Sequence, residues 1–174
     1  MTNTDSGSTP KNTLTLSDIQ AEQHQFRQSC KTLILATLNG EQWPEASYAP
    51  FIEDEAGNHY IFVSELAAHT QHLLDNKKVS WMLIADEQNT RQLFARQRFT
   101  CVGHVEVIPR DAAEFADRLD QMQERFGEII DLLKGLGDFH LLKLLPERAT
   151  YVRGFGQAYA LSGEGLNQIE HLKR

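Results

Sequence analysis

The chain has 174 residues, 41% of them apolar, which suffices for one domain with a real core and is far from membrane-like. Its formal net charge of −7 excludes nucleic acid as the main partner, because neutralising phosphates takes a concentrated basic face. No apolar run nears the roughly 20 residues of a bilayer-spanning helix, the start lacks a charged-then-apolar leader, and Cys30 and Cys101 have no Cys-x-x-Cys partner. A cytoplasmic protein with no disulfide framework, no structural zinc and no membrane association is expected.

Residues 1–13 are mostly Thr, Asn, Ser and Gly, a composition that cannot offset the entropy of ordering, so a disordered tail is expected there and a single domain over 14–174. A helix is predicted over 17–28, capped by Ser17, with Ile19 and Phe26 on the face that plugs one end of a barrel. Thr32 to Leu38 reads as a strand, Asn39-Gly40 as a hairpin turn, and the return strand begins after Pro44 and continues to Ile52. A second turn at Ala56-Gly57-Asn58 leads into a strand over 59–63, which would complete a three-stranded meander. Residues 64–76 read as a helix with Ser64 as cap and Leu66, Leu73 and Leu74 facing inward.

A strand over 79–84, a polar loop over 85–90 and a long strand from Arg98 to Ile108 follow. Pro109-Arg110-Asp111 then opens an amphipathic helix reaching about Arg125, and residues 139–145 and 151–161 read as a final strand pair. These elements predict an α+β fold, a mostly antiparallel six- to seven-stranded barrel with flanking helices, because closure removes exposed edges.

Three segments are richer in chemistry than a plain barrel requires. His69 and His72 stand three apart on a predicted helix and are neighbours on its surface, but no Cys or carboxylate in a recognised spacing joins them, so surface histidines outweigh a metal pair. The run Arg91-Gln92-Leu93-Phe94-Ala95-Arg96-Gln97-Arg98 is basic in an acidic protein. Arg96 and Arg98 on one strand face would fork an anion, and the same arginines would equally serve to guard a strand edge. The third is the block from Arg125 to Asp131, then Gly154-Phe155-Gly156-Gln157-Ala158-Tyr159, then His171. There the glycines admit a kink or a flat ligand, while a lone terminal histidine and a lone aspartate have plain surface readings.

From about Phe26 to His171 the chain resembles the haem-utilisation proteins of the HugZ/HutZ type, a branch of the pyridoxamine 5′-phosphate oxidase-like superfamily. The resemblance rests on Ser47-Tyr48-Ala49-Pro50-Phe51, Gln92-Leu93-Phe94-Ala95-Arg96, Glu124 through Asp131, Gly154 through Tyr159, and Ser162-Gly163-Glu164 leading to His171. It implies a homodimer of FMN-binding-type split barrels with haem near the subunit interface. It implies His171 as the iron ligand, Asp131 as the acidic partner of that ligand, and Arg98 at the open haem face, with Arg96 as the alternative for a propionate. The activity implied is haem-oxygenase-like cleavage releasing iron. The electron donor would be a separate reductase or reductant, since no dinucleotide fingerprint is present. Two other readings belong to the same fold: a haem store or carrier, and an FMN-dependent oxidoreductase. Flavin-binding relatives place a lysine or arginine for the FMN phosphate where His69 stands here.

Overall fold

The computed structural model describes residues 14–173, so the tail expected over residues 1–13 lies outside the described residues. Helix α1 (Leu16–Ser29) starts one residue earlier than predicted and is capped by Thr15, not Ser17. Thr15 wins because Asp18 completes a reciprocal box: Asp18 N donates to Thr15 Oγ1 at 3.2 Å and Thr15 N donates to Asp18 Oδ2 at 2.8 Å. Ile19 and Phe26 are buried, as their spacing predicts.

Strands β1 (Thr32–Leu38) and β2 (Pro44–Pro50) pair antiparallel with Leu38 opposite Pro44. The turn is longer than Asn39-Gly40 alone. The Asn39 side-chain oxygen accepts the backbone N–H groups of Glu41 and Trp43, both at 2.9 Å, which organises a loop through residue 43. The expected meander is not formed. Strand β4 (His59–Ser64) pairs with the two-residue β3 (Ile52–Glu53) and with β7 (Phe139–Gly154), while the second neighbour of β1 is β5 (Lys78–Ile84). The reason lies in β4 itself, in which residues 59–63 are all buried; a strand covered on both faces belongs inside a sheet.

Helix α2 (Ala68–Asp75) starts four residues later than residue 64, because Ser64 stays in β4 and its hydroxyl is engaged by Asp138 at 2.5 Å. Leu66, expected inside, is 94% exposed in the intervening turn, whereas Leu73 is fully buried. Strand β6 (Arg98–Ile108) and helix α3 (Ala113–Phe126) match prediction, and a short α4 (Ile129–Lys134) follows the break at Gly127. The two strands expected at 139–145 and 151–161 are instead the sixteen-residue β7 and its hairpin partner β8 (Gln157–Ser162), to which β9 (Gln168–His171) adds.

The path β2-β1-β5-β6-β7-β4-β3 is a seven-strand split barrel whose ends are joined through Phe51; β8 and β9 extend it beyond β7. Directly paired residues of antiparallel strands share a sheet face, so register tells inside from outside. Leu33, Leu35, Trp81, Leu83, Phe99 and Tyr151 face inward against α1. A second core lies outside the barrel, where Phe115, Leu119 and Met122 of α3 and Ile130 of α4 cover Tyr60, Phe62, Ile108 and Leu141. The outer face of β1, β5, the first half of β6 and the second half of β7 takes no buried residue from any described helix.

One core residue makes stability depend on pH. His59 is fully buried between Phe51 at 5.1 Å and Trp81 at 5.6 Å, and neither ring nitrogen has a hydrogen-bond partner among the described residues. Burial, helped by the Arg27 charge, pushes its pKa down to about 3, so the 3.8 Å contact with Glu53 is not an ion pair at neutral pH. The folded-state pKa lies below that of the unfolded chain, so the associated stability is complete above pH ~6.5 and is lost as pH falls toward 3. Urea unfolding at pH 7 and pH 5 is expected to show that loss, and His59→Asn to show a smaller difference between the two pH values.

Candidate functional site

The β7–β8 hairpin turns at Phe155 and Gly156, the latter with φ of 65°, a left-handed value that favours glycine. The turn returns the chain as β8, and β9 then pairs antiparallel with β8 so that Tyr159 faces His171. Register places Phe99, Tyr151, Tyr159 and His171 in one row across β6, β7, β8 and β9, all on the inward face. The row begins in the core at Phe99 and ends at the partly exposed His171.

The imidazole of His171 lies 5.0 Å from the Tyr159 ring, tilted by 46°, and its Nε2 is 3.1 Å from the Gly156 carbonyl oxygen. A carbonyl only accepts, so Nε2 carries the proton and donates. Beside the ring runs a groove of about 440 Å³ formed by Leu16 and the β9 segment from Ile169 to Lys173. Below it α1 is fixed to β7 by Glu22, which accepts from Tyr151 Oη at 2.7 Å and from the Arg153 guanidinium at 2.8 Å, the Arg153 bond holding the Glu22 carboxyl below its ordinary pKa.

The other expected site residues do not join His171 within one chain. Arg98 opens β6 opposite Ile84 and Val152, and Val152 is opposite Ala158, so Arg98 lies on the outer face. Two strands, about 14 Å of sheet, separate it from β9, and it faces the opposite way. Its Nη1 donates to the Arg96 carbonyl at 3.0 Å, and no described carboxylate pairs with it. Arg96 precedes the strand, donates from Nε to the Ala85 carbonyl at 2.7 Å and lies 3.5 Å from Glu87. The two arginines therefore form no common fork: the strand begins at Arg98, and Arg96 is already engaged.

Asp131 is on α4, where Lys134 pairs with its carboxylate and Gln123 Nε2 donates to it at 2.5 Å. Helix α4 packs near Leu141, whereas the His171 row crosses β7 at Tyr151, up to about 33 Å away along the strand. His69 is half-buried on α2, and burial together with His72 lowers its pKa, which leaves a neutral ring there at pH 7. His72 Nδ1 is 3.0 Å from Thr37 Oγ1. Among the described residues no three His, Cys, Asp or Glu side chains gather to hold a bare metal ion. A metal that arrives inside a macrocycle needs only one side-chain ligand, which His171 can supply.

Sequence reasoning missed the groups that hold the imidazole, Tyr159 and the Gly156 carbonyl, since the β8–β9 pairing that juxtaposes them has no local signal. It also missed the apolar side chains left in solvent beside the charged candidates. Leu93 and Phe94, the latter 89% exposed, precede Arg98, and Ile129 and Leu132 flank Asp131. Apolar surface beside arginines suits a flat hydrophobic molecule with carboxylates at its edge.

Comparison with known proteins bears on this arrangement. Residues 19–153 match the family described as pyridoxamine 5′-phosphate oxidase. The chain is similar to the heme oxygenase HutZ of Vibrio cholerae, 43% identical over 155 residues that make up 89% of this chain and 88% of HutZ. A crystal structure of HutZ, described as a heme storage protein, superimposes with a TM-score of 0.70 at 43% identity over 74% of this chain and 89% of HutZ. That of ChuZ from Campylobacter jejuni superimposes with a TM-score of 0.83 at 28% identity over 93% of this chain and 65% of ChuZ.

Proposed function

The chain belongs to the HutZ-type branch of the pyridoxamine 5′-phosphate oxidase family, and from that premise we propose that it binds haem as a substrate and opens it oxidatively to release iron. The observation that carries the reading is His171, an imidazole held on an ordered strand with its ring partly exposed, in a chain 43% identical to a heme oxygenase. Bound haem supplies a redox-active iron and the porphyrin to be opened; the protein supplies ligation, orientation and access. His171 would hold the iron through its imidazole. Arg98 is the better of the two arginines for an anionic edge, because Arg96 is engaged by Ala85 and Glu87.

The residues converge only if a second copy completes the site. The outer face that no described helix covers carries the row Tyr48, Ile34, Met82, Thr100, Thr150 and Ala160, uncharged until Glu170 on β9, with Arg98 in the neighbouring row. An uncharged row of this kind, bordered by charged side chains, suits a self-complementary contact. In that cytoplasmic homodimer of single split-barrel domains, residues 14–174, Asp131 of the partner subunit accepts a hydrogen bond from His171, and electrons come from a separate donor. The neutral His69 ring offers no fixed charge to an FMN phosphate, which favours haem over flavin.

A storage role is the second reading, favoured by the description of HutZ as a heme storage protein. Turnover separates the two. Ferric haem bound to the protein, given ascorbate under air with catalase present, is expected to lose its Soret band and yield iron to a ferrous chelator. A stable ferrous spectrum with no chelatable iron would instead assign storage.

A further inference from the structure

The hydrogen bond from His171 has a chemical consequence for haem capture. Of the two ring nitrogens of any histidine, Nδ1 neighbours the ring carbon that bears Cβ, so a flat macrocycle approaching it is crowded by the residue's own main chain. Nε2 is the unhindered nitrogen and the one iron would take. In this fold Nε2 carries a proton, because it donates to the Gly156 carbonyl, and a protonated ring nitrogen has no lone pair for a metal. The ligation proposed above needs the opposite tautomer, with the proton on Nδ1 and directed to Asp131 of the partner subunit.

We infer that His171 is kept in a latched, non-ligating tautomer by the Gly156 carbonyl and the Tyr159 ring, and that haem capture requires release of this latch. The inference rests on the reading of His171 as ligand. Release breaks the Nε2–H···O=C bond, swings the ring off Tyr159 and moves the proton from Nε2 to Nδ1 by exchange with water, so the net proton count is unchanged. The device is local: Gly156 sits in the hairpin turn, Tyr159 is opposite His171 in the β8–β9 ladder, and both act before any haem is present. Tyr159 and Gly156 are positioning groups and take no part in the chemistry on haem.

The test uses the full-length, haem-free protein. Two-bond ¹⁵N–¹H correlation spectra at pH 8.5, with His171 assigned by loss of its signals in His171→Gln, are expected to show the proton on Nε2. A ring protonated mainly on Nδ1, or an even mixture, overturns the inference. In stopped-flow mixing with haemin, Tyr159→Leu is expected to bind about three- to tenfold faster than wild type with the same final Soret position, the range that loss of one modest interaction allows. An unchanged or slower rate overturns it. Should Tyr159→Leu fail to fold, the wild-type spectra alone decide. Failure of the ligand reading is seen separately, as a Soret band in His171→Ala identical to wild type, and leaves the tautomer measurement intact.

Discussion

His171→Ala is expected to weaken haemin binding by more than 100-fold and to abolish the stoichiometric Soret shift, while the domain remains folded. A hydrogen-bond partner of a metal ligand is typically worth 10–100-fold in affinity, and removal of the ligand itself removes more. The folding cost is small because His171 lies at the end of the last strand, partly exposed, and contributes one hydrogen bond to Gly156 and one ring contact with Tyr159. Such a bond is worth about 1 kcal/mol net. Absorbance titration with haemin, alongside thermal unfolding, checks both halves. Added imidazole is expected to restore a ligated spectrum in the variant, since the macrocycle contacts remain. Haemin affinity within a few-fold of wild type would remove His171 from the site and leave the exposed apolar and basic side chains as a surface with another purpose.

Much of the barrel is legible from residue pattern. Helices α1 and α3 and strands β1, β5 and β6 follow from residue pattern, and in α1 the predicted inward residues Ile19 and Phe26 are buried. The expectations that failed depended on who pairs with whom. Strands β1, β2 and β4 are adjacent in sequence, yet the unbroken run His59-Tyr60-Ile61-Phe62-Val63 already carries the mark of burial on both faces that removes β4 from a meander. The site was less legible. Nothing local distinguishes a histidine near a chain end, and the face shown by Arg98 depends on where its strand begins and on the register across three neighbours. His171 stood out through resemblance to haem-utilisation proteins; its partners Tyr159 and Gly156 emerge only once β9 is laid against β8.

The long strand β7 shows how a single residue decides a topology, and Gly103→Ala is expected to expose it. Along β7 the inward residues are Leu142 and Leu144, then Ala149 and Tyr151, so the alternation changes parity midway; this is why the sequence reads as two strands. The change occurs at a bulge where Val102 faces Arg148 and Gly103 faces Pro146, leaving Glu147 as the extra residue. Pro146 has no N–H to give to the ladder and is tolerated at this interruption. There β6 comes so close that a Cβ built on Gly103 would lie 1.9 Å from the Leu145 carbonyl oxygen and 2.9 Å from its carbon, both backbone atoms that no rotamer change can move. Separating the two strands disturbs the most extensive pairing in the barrel. A cost of about 3 kcal/mol or more is expected, at the upper end of overpacking penalties. For a domain of this size that lowers the melting temperature by roughly 6–12 °C. Gly137→Ala, where an added Cβ meets nothing within 4 Å, is the control and should stay within about 0.5 kcal/mol of wild type. Because the bulge lies within β6 and β7 and His171 is carried on β9, whatever Gly103→Ala protein folds should still bind haemin with wild-type stoichiometry. A melting temperature equal to wild type would mean that the strands do not approach so closely, and the parity change along β7 would then need another cause.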